Sequence, residues 1–138
     1  MGTVIDLKQL TMQQNLYRLV IYTGKTYKEI SDAVSINKQL AEELRKLKPT
    51  RRTMQLEKCF NKILDSLPEK VVIKDIDVMF NPAYRVDVIR ILVEANKRHP
   101  FSLVWSGRYV DNRLLYSEED LADYKAYEIS DYDIVCVV

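Results

Sequence analysis

Glycine is scarce in this sequence, since only Gly2, Gly24 and Gly107 occur among its 138 residues. Proline is scarce as well, with four residues, while 47% of the chain is apolar. This composition is typical of a folded globular protein and argues against a disordered chain, and the sequence has no low-complexity tract. The scarcity of glycine also argues against a glycine-rich phosphate-binding loop, because such a loop needs glycines close together.

Cysteine and histidine are few and widely separated. Cys59 and Cys136 lie in apolar sequence, and His99 is the single histidine. This spacing excludes the clustered Cys and His ligands of a zinc site. It is typical of reduced core cysteines in a cytoplasmic protein. No residues stand at positions that predict a nucleophile with its base.

Long apolar runs are absent too. No stretch approaches the ~20 apolar residues that span a membrane, and the first residues lack a signal-peptide core. A net charge of +1 excludes a global attraction to nucleic acid or to an anionic membrane. We therefore expect a cytoplasmic protein without membrane contact, folded as one domain over residues 1–138.

The charges are unevenly distributed along the chain. Residues 38–52 carry six basic and two acidic side chains, whereas residues 117–138 carry seven acidic side chains and one lysine. Solvated helix faces explain such runs in many proteins, and a polar docking surface is the functional alternative. Arg51 and Arg52, on a predicted loop between two helices, are the candidates for contact with a protein partner or a nucleic-acid phosphate.

Strands and helices alternate along most of the sequence. Apolar and β-branched runs predict strands at residues 16–23, 35–36, 71–80, 101–106 and 133–138. Helical spacing predicts helices near the N-terminus, at 25–34, at 37–48 after Asn37 as N-cap, at 53–67 after Thr53, at 82–98 after Asn81, and from Ser117. This alternation predicts an α/β fold, a three-layer α/β/α arrangement around a mainly parallel sheet.

The run of residues 71–80 predicts the central strand, because buried parallel strands are almost continuously apolar. Asp75 and Asp77 lie near its end, where open α/β sheets bind ligands. In P-loop folds this position holds the metal-coordinating aspartate, so Asp75 is the candidate Mg²⁺ ligand and Asp77 the candidate base. Solvated strand-end and turn residues are the alternative interpretation of both aspartates.

Gly24, Lys25 and Thr26 follow the first predicted strand, where a phosphate-binding loop would lie. The Walker A pattern G-x-x-x-x-G-K-[ST] wraps several backbone N–H groups around the phosphates. The residue five positions before Gly24 is Leu19, inside the predicted strand, and no second glycine follows nearby. The tripeptide is therefore a chance match or a remnant, or else an unusual loop that holds ATP and Mg²⁺.

Trp105 and Ser106 end the strand predicted at residues 101–106. Ser106 would occupy a sensor position in a nucleotide-hydrolysing fold, with an ordinary turn serine as the alternative. Trp105 is either a core residue or a partly exposed docking residue for a partner. The sequence leaves both pairs of alternatives open.

Several blocks, in a fixed order, carry a resemblance to a known family. They are Leu-Ala-Glu-Glu-Leu-Arg-Lys-Leu at 40–47, Pro-Thr-Arg-Arg-Thr-Met-Gln-Leu at 49–56, Val-Val-Ile-Lys-Asp-Ile-Asp-Val-Met-Phe-Asn-Pro at 71–82, Val-Trp-Ser-Gly at 104–107 and Leu-Tyr-Ser at 115–117. From about residue 16 onward the chain resembles the BrxF family, the small P-loop-like proteins of type-3 bacteriophage exclusion (BREX) systems of bacteria. The resemblance implies a P-loop NTPase-like fold and other protein components of the defence system as partners.

The resemblance also assigns residues to the family's nucleotide site. Family members usually carry a complete glycine-rich phosphate loop, of which this chain retains Gly24, Lys25 and Thr26. The aspartate of the family's Walker B-like strand matches Asp75, and the acidic residue two positions later appears as Asp77. The incomplete loop implies a degenerate P-loop scaffold.

Three functions follow as hypotheses. The leading one is a non-catalytic scaffold or interaction component of an antiphage defence system, without a cofactor. The second is an ATPase that uses Lys25, Thr26, Asp75 and Asp77 with ATP and Mg²⁺, completed by a partner's arginine. The third is a DNA-binding protein that contacts phosphates in a salt-dependent way, through Lys46, Lys48, Arg51 and Arg52.

Overall fold

The computed structural model describes residues 2–11, 18–24 and 30–138. Its strands in these ranges are β1 (Thr3–Ile5), β2 (Leu19–Tyr22), β3 (Val34–Ser35), β4 (Val71–Lys74), β5 (Phe101–Val104), β6 (Arg108–Val110), β7 (Arg113–Tyr116), β8 (Lys125–Glu128) and β9 (Ile134–Val137). Its α-helices there are α1 (Leu7–Thr11), α2 (Asn37–Arg45), α3 (Pro49–Asp65) and α4 (Val88–Arg98). Short 3₁₀ helices cover Asp77–Phe80 and Ile129–Asp131.

Six strands form one parallel sheet in the order β1-β9-β2-β5-β4-β3. The predicted α/β class and parallel sheet are confirmed. Strands β2, β5 and β9 are the buried centre, and Ile21 is paired with both Leu103 and Cys136 there. These three side chains have 0% exposure, as expected for a parallel sheet that is covered by other elements.

Helices cover both faces of the parallel sheet, which is compatible with a three-layer arrangement. On one face, alternate strand residues such as Ile21 and Leu103 share a core cluster with side chains of α2, α3 and α4. On the other face, the strand residues Val20, Tyr22, Val135 and Val137 pack with Ile5, Leu7, Leu10 and Ile30. The short predicted N-terminal helix is confirmed as α1, and β1 precedes it.

Helices α2 and α3 correct three predictions. The predicted loop at residues 49–52 is wrong, because α3 begins at Pro49, whose fixed φ suits the first helical turn. Arg51 and Arg52 therefore lie in a helix, and Thr53 is inside it. Asn37 is no N-cap, since its Oδ1 accepts a hydrogen bond from the distant amide of Val78 at 2.8 Å.

The predicted strand 71–80 is too long. Strand β4 ends at Lys74, and Asp75 adopts a left-handed conformation with a φ of 57°. That conformation ends the extended backbone, and the following 3₁₀ helix directs Met79 and Phe80 into the core, at 1% and 2% exposure. The predicted start of α4 after Asn81 is also wrong, because Asp87 caps this helix by accepting from the amide of Arg90.

A second sheet, antiparallel in the order β6-β7-β8, fills the connection between β5 and β9. Its β6–β7 turn contains two residues with positive φ, Asp111 at 50° and Asn112 at 62°, as in a type I′ hairpin. The helix predicted from Ser117 is wrong, because turns occupy this segment up to β8. Ser117 has a φ of 65°, and its hydroxyl donates to Asp123 at 2.6 Å.

The first half of the helix predicted at residues 25–34 lies outside the described residues. Its end does not form an α-helix, since residues 30–33 form a turn in which the Ala33 amide donates to the Ile30 carbonyl. Within the described ranges, no helix has both the length and the apolar character that crossing a bilayer requires.

Candidate functional site

The carboxyl ends of β2, β5 and β4 lie side by side, because these strands are adjacent and parallel. Gly24, Ser106 and Asp75 follow these strand ends, so three predicted site residues lie at one edge of the sheet. The Trp105 amide donates to the Tyr22 carbonyl at 2.9 Å, which ties the first two strand ends together. Lys25 and Thr26 lie outside the described residues.

Asp75 is the one predicted site residue, among those the structure describes, whose backbone conformation is unusual. Its left-handed φ of 57° is uncommon for a residue other than glycine, although a short polar side chain tolerates it. The residue is half-buried, and its carboxylate has no hydrogen bond or ion pair to the described part of the chain. Asp75 is therefore available to a ligand at the sheet edge.

Asp77 is in a different situation from Asp75. Its carboxylate accepts a hydrogen bond of 2.8 Å from the hydroxyl of Tyr116, on β7. The Tyr116 ring stacks on Phe80, with 3.8 Å between ring centroids and 9° between ring planes. Burial of the hydroxyl, together with this hydrogen bond, raises the pKa of Tyr116 above its ordinary value. Asp77 thus connects the antiparallel sheet to the 3₁₀ helix.

Tyr116 is a residue that sequence reasoning missed at this edge. The resemblance included Leu115, Tyr116 and Ser117 as a block, but nothing in their spacing connects Tyr116 to Asp77, 39 positions earlier. The contact depends on the antiparallel sheet, which hydrophobic periodicity did not predict.

Trp105 is a core residue, and the docking interpretation is wrong. Its side chain is 5% exposed, and its Nε1 donates to the Leu115 carbonyl at 3.1 Å. The indole meets Phe80 and Tyr127 edge to face, at centroid distances of 5.7 and 6.3 Å. Trp105 therefore joins the two sheets and has almost no surface to offer a partner.

Ser106 is exposed, as a turn serine would be. It has no hydrogen bond with the described residues, so a ligand at this edge would find its hydroxyl free. Gly107 follows, and a Cβ there would lie 1.8 Å from the Leu115 carbonyl oxygen. Sequence reasoning counted Gly107 among the three glycines and in the block at 104–107, and it missed this close backbone contact.

The residues at this edge fit a metal-nucleotide complex only in part. Among the described residues, no three His, Cys, Asp or Glu side chains come together as a metal cluster would require. Asp75 is a suitable single carboxylate for Mg²⁺, but Mg²⁺ bound by one carboxylate also needs substrate phosphates held by other groups. Gly24 is the one glycine between β2 and β3 that would let a loop approach those phosphates closely.

Arg51 and Arg52 have different environments despite being neighbours. Arg52 Nε donates to the carbonyls of Leu44 at 2.9 Å and Leu47 at 3.3 Å, and so satisfies carbonyls at the C-terminus of α2. Arg51 is exposed and has no ion pair with the described residues. Arg51 is therefore the freer of the two for a partner, while Arg52 also stabilises the helix pair.

Comparisons of this chain with known proteins found no matching family model, curated protein or solved structure. The interpretation of the sheet edge therefore rests on its own residues. One available aspartate, one free serine and one glycine lie there, beside a second aspartate that is bound to a tyrosine.

Proposed function

We propose that this chain is a non-catalytic scaffold or interaction component of a bacterial antiphage defence system of the BREX type, built on a degenerate P-loop fold. The observation that carries the non-catalytic part is the bond between Asp77 and Tyr116. The Tyr116 hydroxyl occupies Oδ1 of this carboxylate, so Asp77 has a structural role at this position. Asp75, the candidate Mg²⁺ ligand, then lacks the base that the sequence predicts at Asp77.

The sheet supports the P-loop part of the proposal. A phosphate loop after β2, a sensor after β5 and a metal-binding aspartate after β4 need adjacent parallel strands, and β2, β5 and β4 are adjacent in this order. A degenerate member would retain this arrangement of strands and lose the loop. The single glycine after β2 agrees with such a loss.

The tip of the α2–α3 pair supports the interaction part of the proposal. Residues 44–56 contain five basic and no acidic side chains. Arg45, Lys48 and Arg51 are exposed there and have no ion pair with the described residues. Lys46 differs, since it pairs with Glu43 at 3.3 Å. A partner with an acidic or phosphate surface would complement this tip.

Calorimetric titration with ATP and Mg²⁺, with ADP as a control, tests the non-catalytic proposal. We expect no binding heat at millimolar nucleotide, because one glycine cannot provide the wrapped backbone of a phosphate loop. Binding at micromolar strength that Lys25→Ala abolishes would contradict this expectation. It would show that the unusual loop holds phosphates.

Co-purification of the tagged chain with other components of a BREX-type system tests the interaction proposal. We expect Lys48→Ala with Arg51→Ala to weaken the complex, and Lys70→Ala to leave it unchanged, since Lys70 is an exposed lysine outside this tip. Deletion of the gene from a host that carries the system should raise phage plating efficiency. The proposal would be refuted if the deletion left phage plating efficiency unchanged and no component of the system co-purified with the chain.

The alternative is an ATPase that uses Lys25, Thr26, Asp75 and Asp77, with Asp75 as its Mg²⁺ ligand. Asp75, Ser106 and Gly24 at one edge are the observation that favours it. A partner's arginine would then complete the site, as arginine fingers do in other nucleotide hydrolases. Under this alternative, Asp75→Asn abolishes nucleotide hydrolysis by the complex while the protein remains folded.

A further inference from the structure

A small pocket of about 200 Å³ lies between α2, the first turn of α3 and the segment after Phe80. It is separate from the residues that follow β2 and β5. The residues that line it are Ala41, Leu44, Arg45, Arg52, Val78, Asn81 and Tyr84. Two of its lining side chains are arginines and none is a carboxylate, so the pocket favours an anion.

Arg52 is held in position for binding at this pocket. Its Nε–H is directed at the carbonyls of Leu44 and Leu47, which fixes the plane of the guanidinium. The two terminal nitrogens have no partner within the described residues. A guanidinium fixed in this way loses less rotamer entropy when its remaining donors bind a ligand.

Arg45 and Asn81 add donors on two other sides of the pocket. Arg45 is exposed at the end of α2 and has no ion pair among the described side chains. Asn81 uses its Oδ1 to accept from the Ala83 amide, which leaves the side-chain NH₂ group as a donor. Neutral and cationic donors around a small cavity are the groups that bind an oxyanion.

Two larger grooves along α4 have a different chemistry. The groove between α3 and α4, of about 460 Å³, is lined by Glu57, Asp87 and Glu94 with Arg90. The groove on the other side of α4 is lined by four acidic residues, among them Asp131 and Asp133, together with Arg90 and Lys97. The arginine pocket differs from these grooves because its lining has positive charge and no carboxylate.

We propose that the pocket between Arg45 and Arg52 binds a phosphate group. Guanidinium forks bind carboxylates as well, but the exposed Lys48 and Arg51 continue the positive surface beyond the pocket. A phosphate that belongs to a longer polyanion would therefore find further contacts there. The phosphate comes from a small phosphorylated molecule or from a nucleic-acid backbone. This site does not depend on the proposed defence role.

Nuclear magnetic resonance titration of the isotope-labelled protein tests this proposal, with inorganic phosphate, adenosine monophosphate and a single-stranded oligonucleotide as probes. We expect amide shifts at Ala41, Arg45, Arg52 and Asn81. Arg45→Gln should weaken phosphate binding about tenfold, as loss of one charge-assisted hydrogen bond does. Arg51→Gln is the matched control, because it removes the same charge at the same tip but outside the pocket.

Arg52→Lys is a second variant, which keeps the charge and removes the fork. We expect it to weaken phosphate binding as well, and urea denaturation of the same variant shows whether α2 remains capped. Equal losses of inorganic phosphate binding in Arg45→Gln and Arg51→Gln would overturn the pocket, since they would indicate diffuse attraction. An absence of shifts with all three probes at millimolar concentration, or tighter binding of acetate than of phosphate, would also overturn it.

The probes separate the two sources of phosphate. Oligonucleotide binding that is tighter than phosphate binding, and that weakens in Arg51→Gln, supports a nucleic-acid backbone. Similar affinities for phosphate and oligonucleotide, with no effect of Arg51→Gln, support a small phosphorylated ligand. Because the titration uses the isolated protein, its failure would leave the co-purification and plating results of the proposed function intact.

Discussion

Three residues predicted as candidate contacts or catalytic groups have structural partners within the chain. Asp77 holds Tyr116, Arg52 caps α2, and Trp105 donates to the Leu115 carbonyl. These partners lie between five and 39 positions away in the sequence. A chemically useful residue type is therefore a weak predictor of function until its neighbours in space are known.

Gly107 provides the first prediction. Gly107→Ala should lower the free energy of unfolding by at least about 2 kcal/mol, because the new Cβ overlaps backbone that cannot move freely. It would lie 1.8 Å from the Leu115 carbonyl oxygen and 2.8 Å from Nε1 of Trp105. Urea denaturation followed by tryptophan fluorescence measures this loss, since Trp105 is the one tryptophan in the chain.

Ser106→Ala is the control for this experiment. The serine is adjacent and exposed, so its replacement should change the free energy of unfolding by less than about 0.5 kcal/mol. If Gly107→Ala were as stable as this control, the close approach of β7 to Gly107 would be refuted.

Asp75 and Ser106 show what the sequence can predict about a site at this scale. Their place at the edge of the sheet follows from strands that end in a polar residue, and the structure agrees. The bond from Tyr116 to Asp77 and the fixed guanidinium of Arg52 could not be predicted, because each depends on how distant elements pack. Local pattern carries no information about such contacts.

Among the elements, strands were predicted better than helix boundaries. Apolar runs locate β2, β4, β5 and β9, because buried parallel strands consist almost entirely of apolar residues. The sequence predicts that Pro49 ends the helix at 37–48, whereas Pro49 begins α3, and both positions suit proline's fixed φ. The sequence predicts Asn37 and Asn81 as N-caps. The Asn37 side chain accepts from the distant Val78 amide, and the Asn81 side chain accepts from Ala83 in a turn that lies before α4.

The antiparallel sheet was not predicted at all. Its strands contain three or four residues each and have irregular burial, so they show no clear alternation. The Asp111-Asn112 turn was the available signal, since these residues tolerate the positive φ of a two-residue hairpin. The acidic segment after Ser117 instead suggested the start of a helix.

The hairpin turn provides a prediction at the scale of this element. Asn112→Ala should destabilise the protein by about 1–2 kcal/mol, because alanine is sterically strained in the left-handed conformation. The variant also loses the hydrogen bond that the Tyr109 hydroxyl donates to Asn112, at 3.0 Å. Chemical denaturation measures the change.

Asn112→Gly separates the two causes. Glycine loses the same hydrogen bond but accepts the φ of 62° without strain. It should therefore be more stable than Asn112→Ala. Equal stability of the two variants would show that backbone conformation does not limit this turn.

At the scale of the whole molecule, tyrosine and cysteine side chains with raised pKa values make the free energy of unfolding depend on pH in the alkaline range. Burial raises the pKa of Tyr127 to about 12 and that of the Cys136 thiol to about 12. Burial, with hydrogen bonds to Asp77 and Asp87 respectively, also raises the pKa of Tyr116 and Tyr132. The folded protein thus keeps protons that the unfolded chain releases.

We expect the free energy of unfolding to fall as pH rises above about 9, where unfolded cysteine and then tyrosine begin to ionise. The sign follows because the unfolded state binds fewer protons there, and the stabilisation is complete below the unfolded pKa values. Urea denaturation between neutral and alkaline pH measures this slope. Tyr132→Phe should make the slope shallower, and a stability that rises with alkaline pH would contradict the assignment.

The pairing of the last strand has a consequence for how the chain is made. Strand β9 lies between β1 and β2, and its partners Thr3 and Val20 both pair with Val135. During synthesis, therefore, β1 has no neighbour in the sheet until the ribosome has released residues 134–137. Contacts that span nearly the whole sequence also slow folding, because a long loop must close first. We expect the nascent chain to depend on protection by chaperones until β9 has emerged.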